Sequence, residues 1–151
     1  MRRIVISDTS TLILFHKIEE LSILKKVYGE ILTTPEVAEE FGEPLPSWIE
    51  VKSVSDKKYQ KFLETQVDYG EASAIALATE YDDVLVLVDD LKARKLAQKL
   101  QLKITGVLGV IYKAKQENVI EKVKPIIDKL LQTNFRISDK IISEILKLSN
   151  E

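Results

Sequence analysis

Short apolar runs along the chain alternate with longer segments that have helical periodicity. The runs at 3–7 and 84–88 are continuous and rich in β-branched residues, which is typical of strands buried on both faces of a parallel sheet. Shorter runs at 30–33, 49–54 and 102–104 predict further strands, with 49–54 at a sheet edge. Strands that alternate with helices predict a three-layer α/β/α fold with a central, mostly parallel sheet.

Capping residues and periodicity predict the helices between these strands. The segment 11–28 has helical spacing with a break near Glu19, and Thr34 is expected to cap a helix that opens at Pro35. Further helices are predicted at 56–65, 71–81, 91–100 and 107–116, the last capped by Thr105, and from about 119 to the end, with Asn134 as a left-handed stop and Ser138 as a cap. We expect one domain over 1–151, on which the C-terminal helices from about 119 pack.

Composition excludes several kinds of chemistry. The chain has 151 residues, no Cys, a single His and a formal net charge of −2. Without Cys there is no disulfide framework, no Cys-based zinc site and no thiol catalysis, which suits a reducing cytoplasm. The slightly acidic charge argues against a broadly basic nucleic-acid coat. No apolar run approaches the roughly 20 residues that span a membrane, and His16 is expected to be structural or on the surface.

Acidic residues stand where metal ligands would lie in such a fold. Asp8 follows the first predicted strand, and Asp89 and Asp90 follow the strand at 84–88. Glu40 lies about one turn into its helix, and Glu71 opens another. Ligands bind beyond the carboxyl ends of parallel strands, so these side chains are expected to converge there. A site of carboxylates alone suits a hard divalent ion such as Mg²⁺ or Mn²⁺.

Each of these residues also has a purely structural explanation. Asp8 and Asp90 are suitable N-caps, Glu71 is favourable charge at a helix N-terminus, and Glu40 belongs to an acidic run that is typical of a solvated helix face. Arg94 stands four residues after Asp90, so an intrahelical ion pair is the default, and a clamp on Asp90 or on a substrate phosphate is the alternative. The joint occurrence of the acids favours a site.

The order of the acidic motifs resembles the PIN-domain family of nucleases from Ile4 to about Gly109. The resemblance is carried by Ile6-Ser7-Asp8-Thr9-Ser10, Pro35-x-Val37-x-x-Glu40, Gly70-Glu71-Ala72 and Val88-Asp89-Asp90, and by Thr105-Gly106-x-x-Gly109 in a less studied subgroup. The family usually has Thr-x-Asp in the fourth motif. Asp90 is therefore the better equivalent, and Val88 departs from the pattern.

The resemblance implies a parallel sheet, dependence on Mg²⁺ or Mn²⁺, and cleavage of RNA. The leading hypothesis is a metal-dependent endoribonuclease, whose narrower form is the toxin of a toxin–antitoxin pair, and the rival is a noncatalytic binding module. Asp8, Glu40, Glu71 and Asp90 would hold one or two ions, with Asp89 in support or as an alternative ligand. Supporting roles are assigned to Thr9, Ser10 and Arg94, and contacts with the RNA backbone to Lys92, Arg94 and Lys95. A small antitoxin protein and a homodimer are the further expected partners, the latter through an apolar stripe at 141–148.

Overall fold

The computed structural model describes residues 3–151, which form alternating strands and helices. In chain order they are β1 Ile4–Ser7, α1 Thr9–Lys17, α2 Ser22–Tyr28, β2 Ile31–Thr33, α3 Pro35–Phe41, β3 Ile49–Val51, α4 Lys57–Leu63, α5 Tyr69–Ala78, β4 Val84–Leu87, α6 Leu91–Lys99, β5 Lys103–Thr105, α7 Val107–Gln116, α8 Lys124–Leu131 and α9 Asp139–Leu148. Every strand predicted from the apolar runs is present.

The five strands form one parallel sheet in the order β3-β2-β1-β4-β5. The chain leaves β1 toward β2 and β3 on one side, and then crosses to β4 and β5 on the other. The topological switch point therefore lies between β1 and β4, where Ser7 pairs with Leu87. β3 is an edge strand, as predicted.

Side chains alternate across the sheet and divide the core into two layers. Val5 and Leu87 face a core built mainly from α1, α2, α3, α7, α8 and α9. Ile6 and Val86 face a core with α4, α5 and α6. This alternation confirms the three-layer α/β/α fold, because each central strand is apolar on both faces and must be covered twice.

Local signals in the sequence account for most element boundaries. Glu19 has φ 59° and separates α1 from α2, as the break in periodicity predicted. The Thr34 hydroxyl accepts a hydrogen bond from the Val37 N–H at 3.2 Å, and Pro35 occupies the first turn of α3. Ser138 caps α9 in the same way. From Gly70 to Ala78 every residue of α5 is buried, because its small side chains allow close packing on the sheet.

Two predicted boundary residues are wrong. Thr105 is the last residue of β5 rather than a cap, and Gly106 occupies the N-cap position of α7. Asn134 is not left-handed. Within residues 3–151 the non-glycine residues with positive φ are Glu19, Gln101, Asn118 and Asn150. The helical pattern after 118 is interrupted by the loop between α8 and α9.

The C-terminal helices contribute to the first core layer. Ile127 and Leu130 of α8 and Ile145 of α9 are buried in it. The Glu151 carboxylate accepts hydrogen bonds from the N–H groups of Val123 and Lys124, so it caps the start of α8. Among residues 3–151, no helix is both long enough and apolar enough to cross a bilayer.

Candidate metal centre at the carboxyl edge of the sheet

The acidic residues that follow β1 and β4 lie on adjacent strand ends. Ser7 and Leu87 are paired, and the Asp8 N–H donates to the Leu87 carbonyl at 3.1 Å. Asp8 and the Asp89-Asp90 pair thus leave the sheet at its switch point. This is the edge where open parallel sheets bind ligands.

Asp8 is fully buried and uses only one of its carboxylate oxygens. Its Oδ1 accepts a hydrogen bond from the Thr11 N–H at 3.0 Å and so caps α1. Its Oδ2 is buried without any hydrogen-bond partner. Burial raises the pKa of Asp8 to about 6, the N–H and then the hydroxyl of Thr11 oppose that rise, and the charges of Asp89 and Asp90 add to it. An unpartnered, desolvated carboxylate oxygen at this edge suits a cation.

Glu71 lies in the first turn of α5 and is only 6% exposed. Its Oε1 accepts from the Asp68 N–H at 3.2 Å, which forms a capping box with Asp68. Burial raises the pKa of Glu71 to about 7, and the charges of Asp90 and then Asp8 contribute in the same direction. The charges of Asp90 and Asp8 therefore act on the Glu71 carboxylate.

Asp90 and Asp89 each bind the N-terminus of a different helix. Asp90 Oδ2 accepts from the Ala93 N–H at 3.1 Å and caps α6. Asp89 Oδ1 accepts from the Val107 N–H at 3.1 Å, which gives α7 the cap that Thr105 does not supply. Four helix N-termini, those of α1, α5, α6 and α7, thus meet the acidic residues. Their positive ends offset part of the mutual repulsion of the carboxylates.

Glu40 is exposed and is held by a contact from another helix. The Thr9 hydroxyl donates a hydrogen bond to Glu40 Oε1 at 2.5 Å. Both side chains pass over the Cα of Gly70, where a Cβ would collide with each of them. The lack of a side chain at Gly70 therefore allows this contact, which brings the first, second and third acidic motifs together.

Arg94 and Ser10 make fewer contacts than the sequence suggested. Across the described residues, no ion pair within 4.0 Å involves Arg94, so the expected pair with Asp90 is absent. A Cβ at Gly106 would stand 3.7 Å from Arg94 Nη1 and 2.5 Å from Asp89 Oδ1, so both side chains approach this glycine. Ser10 is exposed beside Asp89 on the wall of a groove.

Lysines on α6 border the acidic pocket. Lys92 shares a cavity of about 260 Å³ with Glu71 and Asp90. A neighbouring cavity of about 200 Å³ is lined by Lys92, Lys95 and Lys99. Lys99 was not singled out from the sequence, although it follows Lys95 at helical spacing.

A buried Glu–Gln pair near the site escaped sequence reasoning. Glu36 is only 7% exposed although it belongs to the acidic run assigned to solvent, and it accepts a hydrogen bond from the Gln60 side chain. Glu36 Oε1 and Gln60 Oε1 are buried without partners. No local pattern could have found this pair, because Glu36 and Gln60 are 24 residues apart in the chain. His16 lies at the surface, 2.9 Å from Glu43 Oε2.

The carboxylates at this edge match a hard divalent ion in chemistry, but their positions do not form a metal site. Within residues 3–151, no three His, Cys, Asp or Glu side chains stand in a group that could hold a metal ion. All donors at this edge are carboxylate oxygens, which Mg²⁺ and Mn²⁺ prefer. The free Oδ2 of buried Asp8 and the raised pKa of Glu71 are the features that a cation would relieve.

A parallel α/β/α sheet with acidic residues at its switch point defines an α/β protein with a candidate ligand site at that edge. A family model described as a PIN domain matches residues 4–151, and the chain belongs to the PIN-domain family. Proteins with this domain are generally nucleases, typically depend on a divalent metal, and act on RNA. No curated protein and no solved structure shows significant similarity to the chain.

Proposed function

We propose that this protein is a metal-dependent endoribonuclease that hydrolyses RNA phosphodiester bonds. The observation that carries the proposal is the buried Asp8 carboxylate. Its Oδ2 has no hydrogen-bond partner, and the charges of Asp89, Asp90 and Glu71 act on the same edge of the sheet. A structural cap needs a single oxygen. A second carboxylate oxygen that is desolvated and unsatisfied costs free energy, which a bound cation would recover.

Each side chain has a proposed role in this reaction. Asp8, Glu40, Glu71 and Asp90 would hold one or two Mg²⁺ or Mn²⁺ ions, with Asp89 in support or as an alternative ligand. A bound divalent ion would act as a Lewis acid on the scissile phosphate and promote ionisation of the attacking water.

The other residues would position these groups and the substrate. Thr9 orients Glu40 through its hydroxyl, and Asp8 and Asp90 are held by the helix N-termini that they cap. Arg94, Lys92 and Lys95 would bind phosphates of the RNA, and Ser10 would orient a carboxylate or the water.

Cleavage of mixed RNA tests the proposal. Chelation should abolish cleavage, and Mn²⁺ or Mg²⁺ should restore it. The Asp8→Asn protein should lose at least about two orders of magnitude in rate, because the amide keeps the cap on α1 but removes the charge. Asp82→Asn is the matched control, because Asp82 is exposed before β4 at the opposite edge of the sheet. Equal rates for Asp8→Asn and Asp82→Asn would refute the catalytic assignment.

A noncatalytic PIN-like module that binds RNA or protein is the second candidate. It is favoured by the caps: Asp8, Asp89 and Asp90 each satisfy a helix N-terminus, and the acids are not grouped around a metal position within the described part of the chain. This candidate predicts that no divalent ion supports cleavage. It also predicts that melting temperature does not respond to Mn²⁺.

The toxin role and its partners are a finer proposal that goes beyond family membership. An antitoxin or a second copy of the chain would dock on α9, where Ile141 is 45% and Leu148 65% exposed. An exposed apolar patch of this kind favours a partner. The absence of Cys is the reason for proposing the cytoplasm as the location. We further propose that 1–151 folds as a single domain.

A further inference from the structure

A groove of about 380 Å³ is lined by Asp89 and by residues of α1 and of the loop between α8 and α9. One wall is the face of α1 formed by Ser10, Ile13, Leu14 and Lys17, whose spacing of three, four and seven residues places them in one stripe. Its apolar members remain accessible, and Ile13 is 37% exposed. The groove therefore reaches one residue of the candidate metal centre, Asp89.

The opposite wall is the loop between α8 and α9, and its aromatic residue is held in place. Phe135 is half-buried against the core and lines the groove together with Asn134. The Thr133 hydroxyl donates to the Leu130 carbonyl at 2.6 Å and accepts from the Phe135 N–H at 3.1 Å. These bonds fix the backbone on both sides of Asn134, so the ring is presented by an ordered loop.

Charge along the groove is asymmetric. Asp89 contributes an anion to the lining, and Lys17 contributes a cation to the α1 wall. Within residues 3–151, Lys17 has no carboxylate within 4.0 Å. Neither does Arg136, which lies in the loop between α8 and α9. A ligand with an apolar, flat part and a negative charge could contact both Phe135 and Lys17. A nucleotide unit of a single RNA strand has this combination.

We propose that this groove is a base-binding subsite for single-stranded RNA, in which one unpaired base stacks on Phe135. Asn134 meets the base edge with its amide, Lys17 contacts a flanking phosphate, and the strand continues past Asp89 into the acidic pocket. The volume lies within the range of about 300–1,000 Å³ that is usual for small-ligand pockets. This inference rests on the proposed function, because the RNA bound in the groove would be the substrate of the candidate metal centre. A base paired in a duplex cannot enter, so the subsite selects unpaired RNA.

Fluorescence of 2-aminopurine in a single-stranded RNA tests the subsite without cleavage. The RNA is titrated with the full-length protein in the presence of a chelator. Stacking on Phe135 should quench the fluorescence, and Phe135→Leu should bind about tenfold more weakly with the quench lost. Phe62→Leu is the control, because Phe62 is 59% exposed on α4 in the other helical layer. A duplex of the same sequence should give no quench.

A second variant protects the test against misfolding. Asn134 is exposed, so Asn134→Ala should leave the melting temperature unchanged and alter the preference among the four bases at the quenched position. Quenching that is absent with the wild-type protein, equal for Phe135→Leu and Phe62→Leu, or equal for duplex and single strand would overturn the subsite. An unaffected RNA affinity would leave the groove to an apolar side chain of a protein partner.

The subsite and the nuclease can fail separately. Cleavage that requires Asp8 but is unchanged by Phe135→Leu would retain the nuclease and remove the subsite. Quenching that requires Phe135, from a protein that cleaves no RNA with Mn²⁺, would retain the subsite and remove the nuclease.

Discussion

The Thr9 hydroxyl and the Glu40 carboxylate, 31 residues apart, are joined by a hydrogen bond that passes over the Cα of Gly70. This bond fixes an exposed carboxylate that would otherwise sample several rotamers. It also links α1, α3 and α5, three elements that carry separate acidic motifs. The geometry holds only while residue 70 lacks a side chain.

Removing the Thr9 hydroxyl should weaken metal binding more than it weakens the fold. Thr9→Val should lower the affinity for Mn²⁺ by about tenfold, because partners that orient ligands typically contribute a factor of ten to a hundred. Thr9→Ser keeps the hydroxyl and should bind Mn²⁺ as the wild type does. Gly70→Ala should separate Thr9 from Glu40 and lower the affinity for Mn²⁺ with little loss of stability, because the atoms that a Cβ would meet are the ends of movable side chains. Calorimetric titration with Mn²⁺ and thermal melts measure both effects, and equal affinities for Thr9→Val and Thr9→Ser would show that the hydroxyl has no role.

Without metal, stability should fall as pH rises from about 4 to 7. The folded pKa of Asp8 is raised to about 6 and that of Glu71 to about 7, so the native state binds more protons than the unfolded chain in this range. The free energy of unfolding therefore decreases with pH as far as these groups decide it, and one pKa unit corresponds to about 1.4 kcal/mol. Below about pH 4 both states are protonated and the dependence ends.

Metal should reverse this penalty. Mn²⁺ at a hundredfold excess over its dissociation constant should stabilise the fold by about 2.7 kcal/mol. Asp8→Asn should make the metal-free protein more stable at pH 7 and reduce the response to Mn²⁺, while the amide still caps α1. Thermal melts at pH 4, 5.5 and 7 with and without Mn²⁺ provide the measurement. A melting temperature insensitive to millimolar Mn²⁺ would leave only the capping roles of these acids.

Reversing the charge of the α6 lysines should weaken RNA binding without changing the fold. Lys92 and Lys95 are exposed, and Lys92 borders the same cavity as Glu71 and Asp90. For the wild type we expect RNA binding to release about two to four counterions. Lys92→Glu with Lys95→Glu should reduce the affinity for RNA and make its salt dependence shallower. The matched control is Lys25→Glu with Lys26→Glu at the end of α2, which leads into the opposite edge of the sheet. Equal losses in both double variants would indicate nonspecific attraction alone.

Helix α9 should contribute to the core through Ile145, with Ile142 and Leu146 packed against it, and remain available for a partner through Ile141 and Leu148. Ile145 is 7% exposed, whereas Leu148 is 65% exposed. Ile145→Ala should destabilise the fold by about 2–5 kcal/mol, and Leu148→Ala by less than about 0.5 kcal/mol. A chain ending at Asn134 should be insoluble, because it loses Ile145 and the Glu151 cap on α8. Melting curves measure the changes in stability, and light scattering measures the state of the truncated chain. A truncated chain that is folded and monodisperse would show that α9 serves only as an interface.

Much of the architecture was determined by local sequence patterns. The continuous apolar runs at 3–7 and 84–88 predicted central parallel strands because alternating faces of such strands are both buried. Thr34 and Ser138 predicted their helix starts because a hydroxyl at the N-cap has a partner within three residues. The acids after β1 and β4 were expected at one edge because parallel strands end there together. Their roles in binding and catalysis stay predictions.

Only the tertiary structure decided which atoms satisfy one another. Asp89 rather than Thr105 caps α7, and Glu36 is buried against Gln60 rather than solvated. These pairings join residues far apart in the chain, and no periodicity encodes them. The different environments of the two carboxylate oxygens of Asp8 also depend partly on tertiary structure. Capping by Oδ1 follows from the local Asp8–Thr11 spacing, whereas isolation of Oδ2 depends on the packing of the sheet and helices around it.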